Sequence, residues 1–194
     1  AVSGGAMDSM VNHYTANLRL RSNDAYTPGG KAGFRPDRVV KTYTQILKRL
    51  YPHVPVVVGG IEASLRRLTH YDYWDNELKP SILVESGADL LIYGMGEGVV
   101  QEVAKAMRNG FNMKLLRKIN QVAFLADREY VERLDKERTL RLHPYEVCRK
   151  NKSAFGENFT AMEIESNRMA SDRILVEPTG ERFVVVNPPR PILS

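Results

Sequence analysis

Residues 54–64, VPVVVGGIEAS, constrain the fold more than any other stretch of the chain. Val56, Val57 and Val58 leave no alternation of apolar and polar positions. A half-exposed strand would alternate, so an uninterrupted β-branched run fits a parallel strand covered on both faces. Gly59 and Gly60 follow it. Having no side chain, they reach positive φ and admit close approach of a ligand or a neighbouring backbone. Read alone, the pair is a tight strand-to-helix turn with no ligand. Its surroundings raise the functional reading.

The same pattern recurs along the chain. Ala1 and Val2 run into Ser3-Gly4-Gly5, so the chain is expected to begin inside a larger fold, its sheet truncated at the N-terminal edge. Met10, Val11, Tyr14 and Leu18 have helical spacing within residues 7–20, with Asp8 or Ser9 as caps. Residues 21–34 form a long loop. Pro36 opens a clearer helix, with Asp37 in its first turn, Val39, Val40, Tyr43, Ile46, Leu47 and Leu50 on one face, and Pro52 beyond its end. Helix, turn and buried strand make half of a parallel α/β unit. The unit repeats at residues 88–93, which run into Gly94-Met95-Gly96-Glu97-Gly98 and a helix carrying Val99, Val103 and Met107.

These repeats predict an α/β fold: a doubly wound parallel sheet, Rossmann-like, with helices on both faces. Ligands in such folds gather at the carboxyl ends of the strands. Gly4, Gly5, Gly59, Gly60, Ser64, Gly94, Gly96 and Glu97 are therefore expected along one ligand-binding rim. Glu97 puts a negative charge there, or simply caps its helix. The spacing does not match a dinucleotide fingerprint, and no Gly-Lys-Ser/Thr phosphate loop occurs. Further on, residues 119–126 read as a strand, the charged stretch after them as a solvated helix or linker, and Pro144 as a helix start. Residues 159–169 read as a helix and residues 173–186 as a β-hairpin. Three prolines in NPPRPILS favour an extended linker. The expected organisation is a Rossmann-like domain over 1–126, a helical and hairpin extension over 127–186, and a linker over 187–194.

Directly after the second glycine turn come Arg66, Arg67, His70, Tyr71, Asp72, Tyr73, Trp74 and Asp75. Aromatics beside arginines make a wall for a flat or anionic ligand. They equally make a surface loop that folds onto its own domain or another, and both readings stand at this point. His70 near Asp72 is either a base with its orienter or a local hydrogen bond. His13, His53, His70 and His143 lack the paired spacings of a zinc site. The single cysteine, Cys148, excludes an internal disulfide or a multi-cysteine metal site, and points to a reducing, cytoplasmic setting. No apolar run approaches the ~20 residues of a membrane span, so no membrane partner is expected. The net charge of +5 is interleaved with acids. Arg19, Arg21, Lys31, Arg35, Arg66 and Arg67 offer cations for RNA contact, but no basic run requires it.

The segments SGGAMDSMVNHYTAN, NDAYTPGGKAGFRPDR, VVGGIEASLRRLTHYDYWD and NPPRPILS closely resemble the amino-terminal half of the YgiQ-type radical SAM proteins, an uncharacterised family. The likeness runs from residue 3 to about residue 98, thins through the charged middle and returns at 187–194. It implies an amino-terminal domain similar to the cobalamin-binding domains of other radical SAM enzymes. In the family a barrel-like domain follows, whose Cys-x3-Cys-x2-Cys motif holds a 4Fe–4S cluster that binds and cleaves S-adenosylmethionine. This chain lacks that motif, and Cys148 alone cannot hold the cluster. The resemblance thus implies an accessory domain, non-catalytic by itself and with no cofactor of its own, that covers the active site with its Arg66–Asp75 loop facing the barrel-like domain or its substrate. Cluster, S-adenosylmethionine and an unknown substrate fall to the parent protein, whose radical SAM domain is the expected partner. No Asp-x-His-x-x-Gly segment supplies a cobalamin ligand. By position, Gly59, Gly60, Ser64, Gly94, Gly96 and Glu97 correspond to the rim that holds cobalamin in related domains. The competing expectation is a stand-alone small-molecule or anion-binding module that uses the same rim.

Overall fold

A computed structural model describes residues 1–110, 112–168 and 171–190. Met169, expected to end a helix, and the last four residues of the 187–194 tail lie outside the described residues. In chain order the elements are β1 (Val2–Ser3), α1 (Ser9–His13), α2 (Val39–Leu50), β2 (Val57–Gly59), α3 (Gly60–Leu65), β3 (His70–Asp72), β4 (Glu77–Lys79), α4 (Ile82–Ser86), β5 (Leu90–Ile92) and α5 (Glu97–Arg108). There follow α6 (Met113–Leu116), β6 (Val122–Ala126), α7 (Arg128–Glu132), β7 (Thr139–Arg141), α8 (Tyr145–Cys148), α9 (Lys152–Asn167), β8 (Ile174–Thr179) and β9 (Arg182–Val186).

Seven strands form one sheet in the order β1-β2-β5-β6-β9-β8-β7, and β3 with β4 forms a separate hairpin. The α/β class and the parallel start of the sheet agree with the sequence: β1 pairs β2 and β2 pairs β5 in parallel. The second half departs from a wholly parallel sheet. β6 runs antiparallel to β5, β9 to β6 and β8 to β9, and only β7 returns to a parallel pairing, with β8. A continuous apolar run reports burial on both faces but not strand direction, so β6 was legible as a strand and its orientation was not.

Burial on both faces is what the valine run encodes. Val56 and Val58 join one core cluster with Val40, Leu83, Leu91, Ala123 and Val184, covered by α2, α4 and α9. Val57 turns the other way, into a cluster with Leu90, Ile92, Val99, Val103, Phe124 and Val185 under α5, α6 and α7. Successive side chains of a strand point to opposite faces, which places these helices in two layers flanking the sheet. No described helix is long and apolar enough to cross a membrane.

Two helices are shorter than their sequence periodicity predicts. α1 stops at His13 because Tyr14 is extended (φ −128°, ψ 153°) and bridges to Leu20. α2 starts at Val39, not at Pro36, because Arg38 is left-handed (φ 51°) and Asp37 turns away to accept hydrogen bonds from His13 (3.1 Å) and Tyr14 (2.9 Å). The hairpin expected at 173–186 is present as β8 and β9.

Candidate functional site

β1, β2 and β5 share one direction, and β9, antiparallel to β6, runs with them. Their carboxyl ends therefore lie on one edge of the sheet. There Gly59, Gly60, Gly94, Gly96 and Glu97 line a cavity of about 470 Å³ together with Ser3, Ile92 and Val100. Two glycines are demanded by geometry. Gly60 has φ +82°, and a Cβ there would stand 2.6 Å from Ser3 Oγ; Gly94 has φ +66°. Ser64, one turn along α3, ties the two turns together. Its hydroxyl donates to Gly60 O (2.8 Å) and accepts from Gly94 N–H (3.0 Å). Glu97 is exposed in the first turn of α5.

Gly4 and Gly5 do not face this cavity. Gly4 is buried, with Glu62 Oε2 2.7 Å from where its Cβ would be, and Gly5 lies against the Tyr26 ring. Behind them sits a residue the sequence reading passed over. Glu62 is 1% exposed, and its carboxyl accepts from Ser9 N–H and Val40 N–H, both at 3.0 Å. One side chain thus satisfies amides at the starts of both α1 and α2, where helices leave backbone N–H groups unpaired. An acid flanked by Ile61 and Ala63 in an otherwise apolar and glycine stretch was the available signal.

The 66–75 loop forms a second concavity, of about 490 Å³, against α1 and the segment after it. Trp74 packs on Tyr14, with ring centroids 4.1 Å apart and the ring planes tilted by 35°. Tyr73 hydroxyl donates to Ala16 O, and Asp72 is held by Arg38 (3.1 Å) and by the backbone N–H groups of Trp74 and Asp75 (both 3.0 Å). His70 does not meet Asp72. Its Nδ1 lies 3.2 Å from Leu68 O, and burial, with the Arg66 guanidinium adding to it, pushes the ring down to about 4, so it is neutral at pH 7. The two arginines expected to meet a ligand are engaged within the chain. Arg66 pairs with Asp8, and Arg67 donates to Ser64 O (2.7 Å) and Ser166 Oγ (3.0 Å) while lying over the Tyr93 ring.

Of the other basic residues singled out above, Arg35 is also spent. It bonds both oxygens of Asp24, at 2.6 and 3.0 Å. Burial works to raise the Asp24 carboxyl, yet Arg35, the Tyr26 amide and Asn12 together outweigh it and hold it at about 2. Among the described residues no group of three His, Cys, Asp or Glu side chains converges as a metal site.

The exit of β9 is fixed to the rim. Asn187 O accepts from the Tyr93 hydroxyl (2.6 Å), and its amide donates to Arg117 O (2.8 Å) and Ile119 O (2.6 Å). Gln121 donates to Tyr93 O and Met95 O, both at 2.7 Å, while its own N–H reaches Pro188 O at 2.8 Å. The residues that leave the last strand are thus bonded to the glycine turn that follows β5.

Comparison with known proteins adds a family to this geometry. Residues 1–194 match the family described as Radical SAM N-terminal. A UPF0313 protein of Porphyromonas gingivalis is 52% identical over 193 residues, which are 100% of this chain and 30% of that protein. A UPF0313 protein of Bacteroides thetaiotaomicron is 47% identical over 205 residues, 100% of this chain and 32% of that protein. One from Clostridium perfringens is 43% identical over 195 residues, 100% of this chain and 28% of that protein. The chain thus spans about 30% of the length of the curated relatives it matches. No solved structure matches.

Proposed function

The chain belongs to the Radical SAM N-terminal family, and from that premise we propose that it is the accessory N-terminal domain of a radical SAM iron–sulfur protein, covering the active site that the rest of the parent chain forms. The observation that carries the reading is the shared edge. The cavity with its five rim residues and the exit of β9 stand side by side, and Asn187, Gln121 and Tyr93 bond one to the other. Arg190 pairs with Glu102 on α5, the helix whose first turn lines the cavity, and in this proposal the rim is the surface turned toward the rest of the parent chain.

The family implies a 4Fe–4S cluster and S-adenosylmethionine for the parent protein. The residues of this chain do not fit a cluster, which needs several thiolates. Cys148 is buried, and burial pushes its thiol up to about 11, so it is no ready thiolate donor. In this proposal the rim contributes shape and exclusion of water, and the chemistry belongs to the other domain. The finer reading, of a cobalamin-binding-like domain, is supported by the glycine turns at the ends of β2 and β5 and the parallel pairing of β1, β2 and β5.

Hydroxyl-radical footprinting of the parent protein against the 194-residue chain tests the arrangement. Met95, 76% exposed at the tip of the rim, should be oxidised several-fold more slowly in the parent. Equal oxidation in both would remove the rim from the interface.

A further inference from the structure

The pocket beneath the 66–75 loop has an electrostatic feature that the loop's own residues do not supply. Four charged side chains line it: Asp8, Arg21, Arg66 and Asp72. Asp8 and Arg66 neutralise each other, and Asp72 is neutralised by Arg38. Arg21 has no carboxylate partner among the described residues. Its Nε donates to Val11 O and Tyr14 O, both at 3.1 Å, which fixes the guanidinium plane. Its two terminal nitrogens have no protein partner among the described residues and remain available as a donor fork.

Around that cation the walls are aromatic and aliphatic. Trp74 and Tyr14, in contact at a 35° tilt, form one side, and Tyr71 (51% exposed), Tyr73 (60%) and Leu65 (60%) form an apolar rim that water contacts. Leu18 lines the pocket from a left-handed backbone (φ 57°), a conformation unfavourable for a branched side chain. The volume of about 490 Å³ falls among small-molecule sites, which are mostly apolar with a few fixed polar groups. A fixed guanidinium fork matches a carboxylate in a bidentate manner, and rings stack on rings.

We infer that this pocket binds a flat aromatic carboxylate, its ring against Trp74 and Tyr14 and its carboxylate on the terminal nitrogens of Arg21. The inference deepens the ligand-wall reading of the 66–75 loop, whereas the observation that carries the accessory-domain reading is the separate cavity at the glycine rim. A ligand of this class gains its affinity from burial and stacking, and its specificity from Arg21.

Calorimetric titration of the 194-residue chain with 2-naphthoate, alongside 2-naphthalenemethanol as the neutral analogue of the same shape, tests it. Naphthoate should bind at least tenfold more tightly than the alcohol. Arg21→Gln should abolish that preference, and Arg21→Lys should restore part of it. Arg21 is exposed, so its replacement should leave the melting temperature nearly unchanged, which makes the result readable without a variant in the aromatic pair. Trp74→Leu should weaken both ligands about equally. Equal binding of acid and alcohol, or an acid preference that survives Arg21→Gln, would overturn the inference. So would no heat at all, and if Tyr71 and Tyr73 are then protected from footprinting in the parent protein, the pocket belongs to the parent's remaining chain instead.

Discussion

The two halves of the sheet solve the problem of burying backbone in different ways. In the antiparallel half, β9 pairs β6 and β8 over four and five registers, and apolar side chains such as Phe124, Val176, Val184 and Val185 close both faces. In the parallel half, β1, β2 and β5 pair over two registers each, and buried polar groups hold the helices and turns at their ends. Glu62 and Ser64, both on α3, tie that helix to the starts of α1 and α2 and to the Gly94 turn, and Arg35 closes the loop before α2 on Asp24. The difference shows where a fold of this kind keeps its adjustable surface: short parallel strands end in turns that side-chain hydrogen bonds can reshape, while the antiparallel half is a fixed backing.

That contrast can be broken by substitution. Phe124→Ala, at a fully buried ring edge-on to Tyr130, should cost about 3–5 kcal/mol and lower cooperative stability of the whole chain in denaturant unfolding. Glu62→Ala should cost about 2–4 kcal/mol, because it orphans two buried amides, and its signature should be local. Native-state hydrogen exchange should accelerate at Ser9 and Val40 with little change along β6 and β9. If exchange rises equally in both halves, the two are one cooperative unit and the contrast is only descriptive.

A polar tie between the halves is sensitive to pH. Glu177 on β8 accepts from Thr69 N–H (3.0 Å), and burial raises its carboxyl from 4.5 to about 7. The folded state therefore holds the proton more tightly than the unfolded state. The resulting stabilisation is complete below about pH 4.5 and is lost as pH rises through about 7. Glu177→Gln, which keeps an acceptor for Thr69, should raise stability at pH 8 by about 1–3 kcal/mol and change little at pH 4. His70 has the opposite sign. Its folded value lies below its ordinary 6.5, so its contribution is present above pH 6.5 and is lost as pH falls through about 4. Thermal melts of the Gln variant should expose that residual slope. The smallest effect, about 1 kcal/mol, is expected from Ser64→Ala, which unties the Gly60 and Gly94 turns. Amide exchange at Gly94 measures it, and an unchanged rate would mean that backbone alone sets the spacing of the two turns.

Legibility in the sequence follows the same division. The buried strands β2 and β5, the β8–β9 hairpin and α5 announce themselves because apolar runs, glycine stops and a Pro-Thr-Gly turn are local signals. Strand direction beyond β5 is set by pairing partners far along the chain, and no local pattern records it. Of the candidate site residues, Gly59, Gly60, Gly94, Gly96 and Glu97 meet in one cavity and Ser64 bonds across it, whereas Gly4 and Gly5 are drawn under Glu62 and Tyr26. The aromatic loop was visible as composition. Tyr14, which meets Trp74, and Arg21, which lines the same pocket, stand 60 and 53 residues before it, and only the fold brings them together.

Trp74 is the single tryptophan of the chain, and it stands in contact with the Tyr14 ring. Indole emission depends on its immediate surroundings, so the protein carries its own optical gauge at this one place. Undocking of the 66–75 loop would shift the emission while the far-ultraviolet signal of the sheet stayed constant. The order in which the two signals change on heating then gives the sequence in which the molecule comes apart, with no label attached.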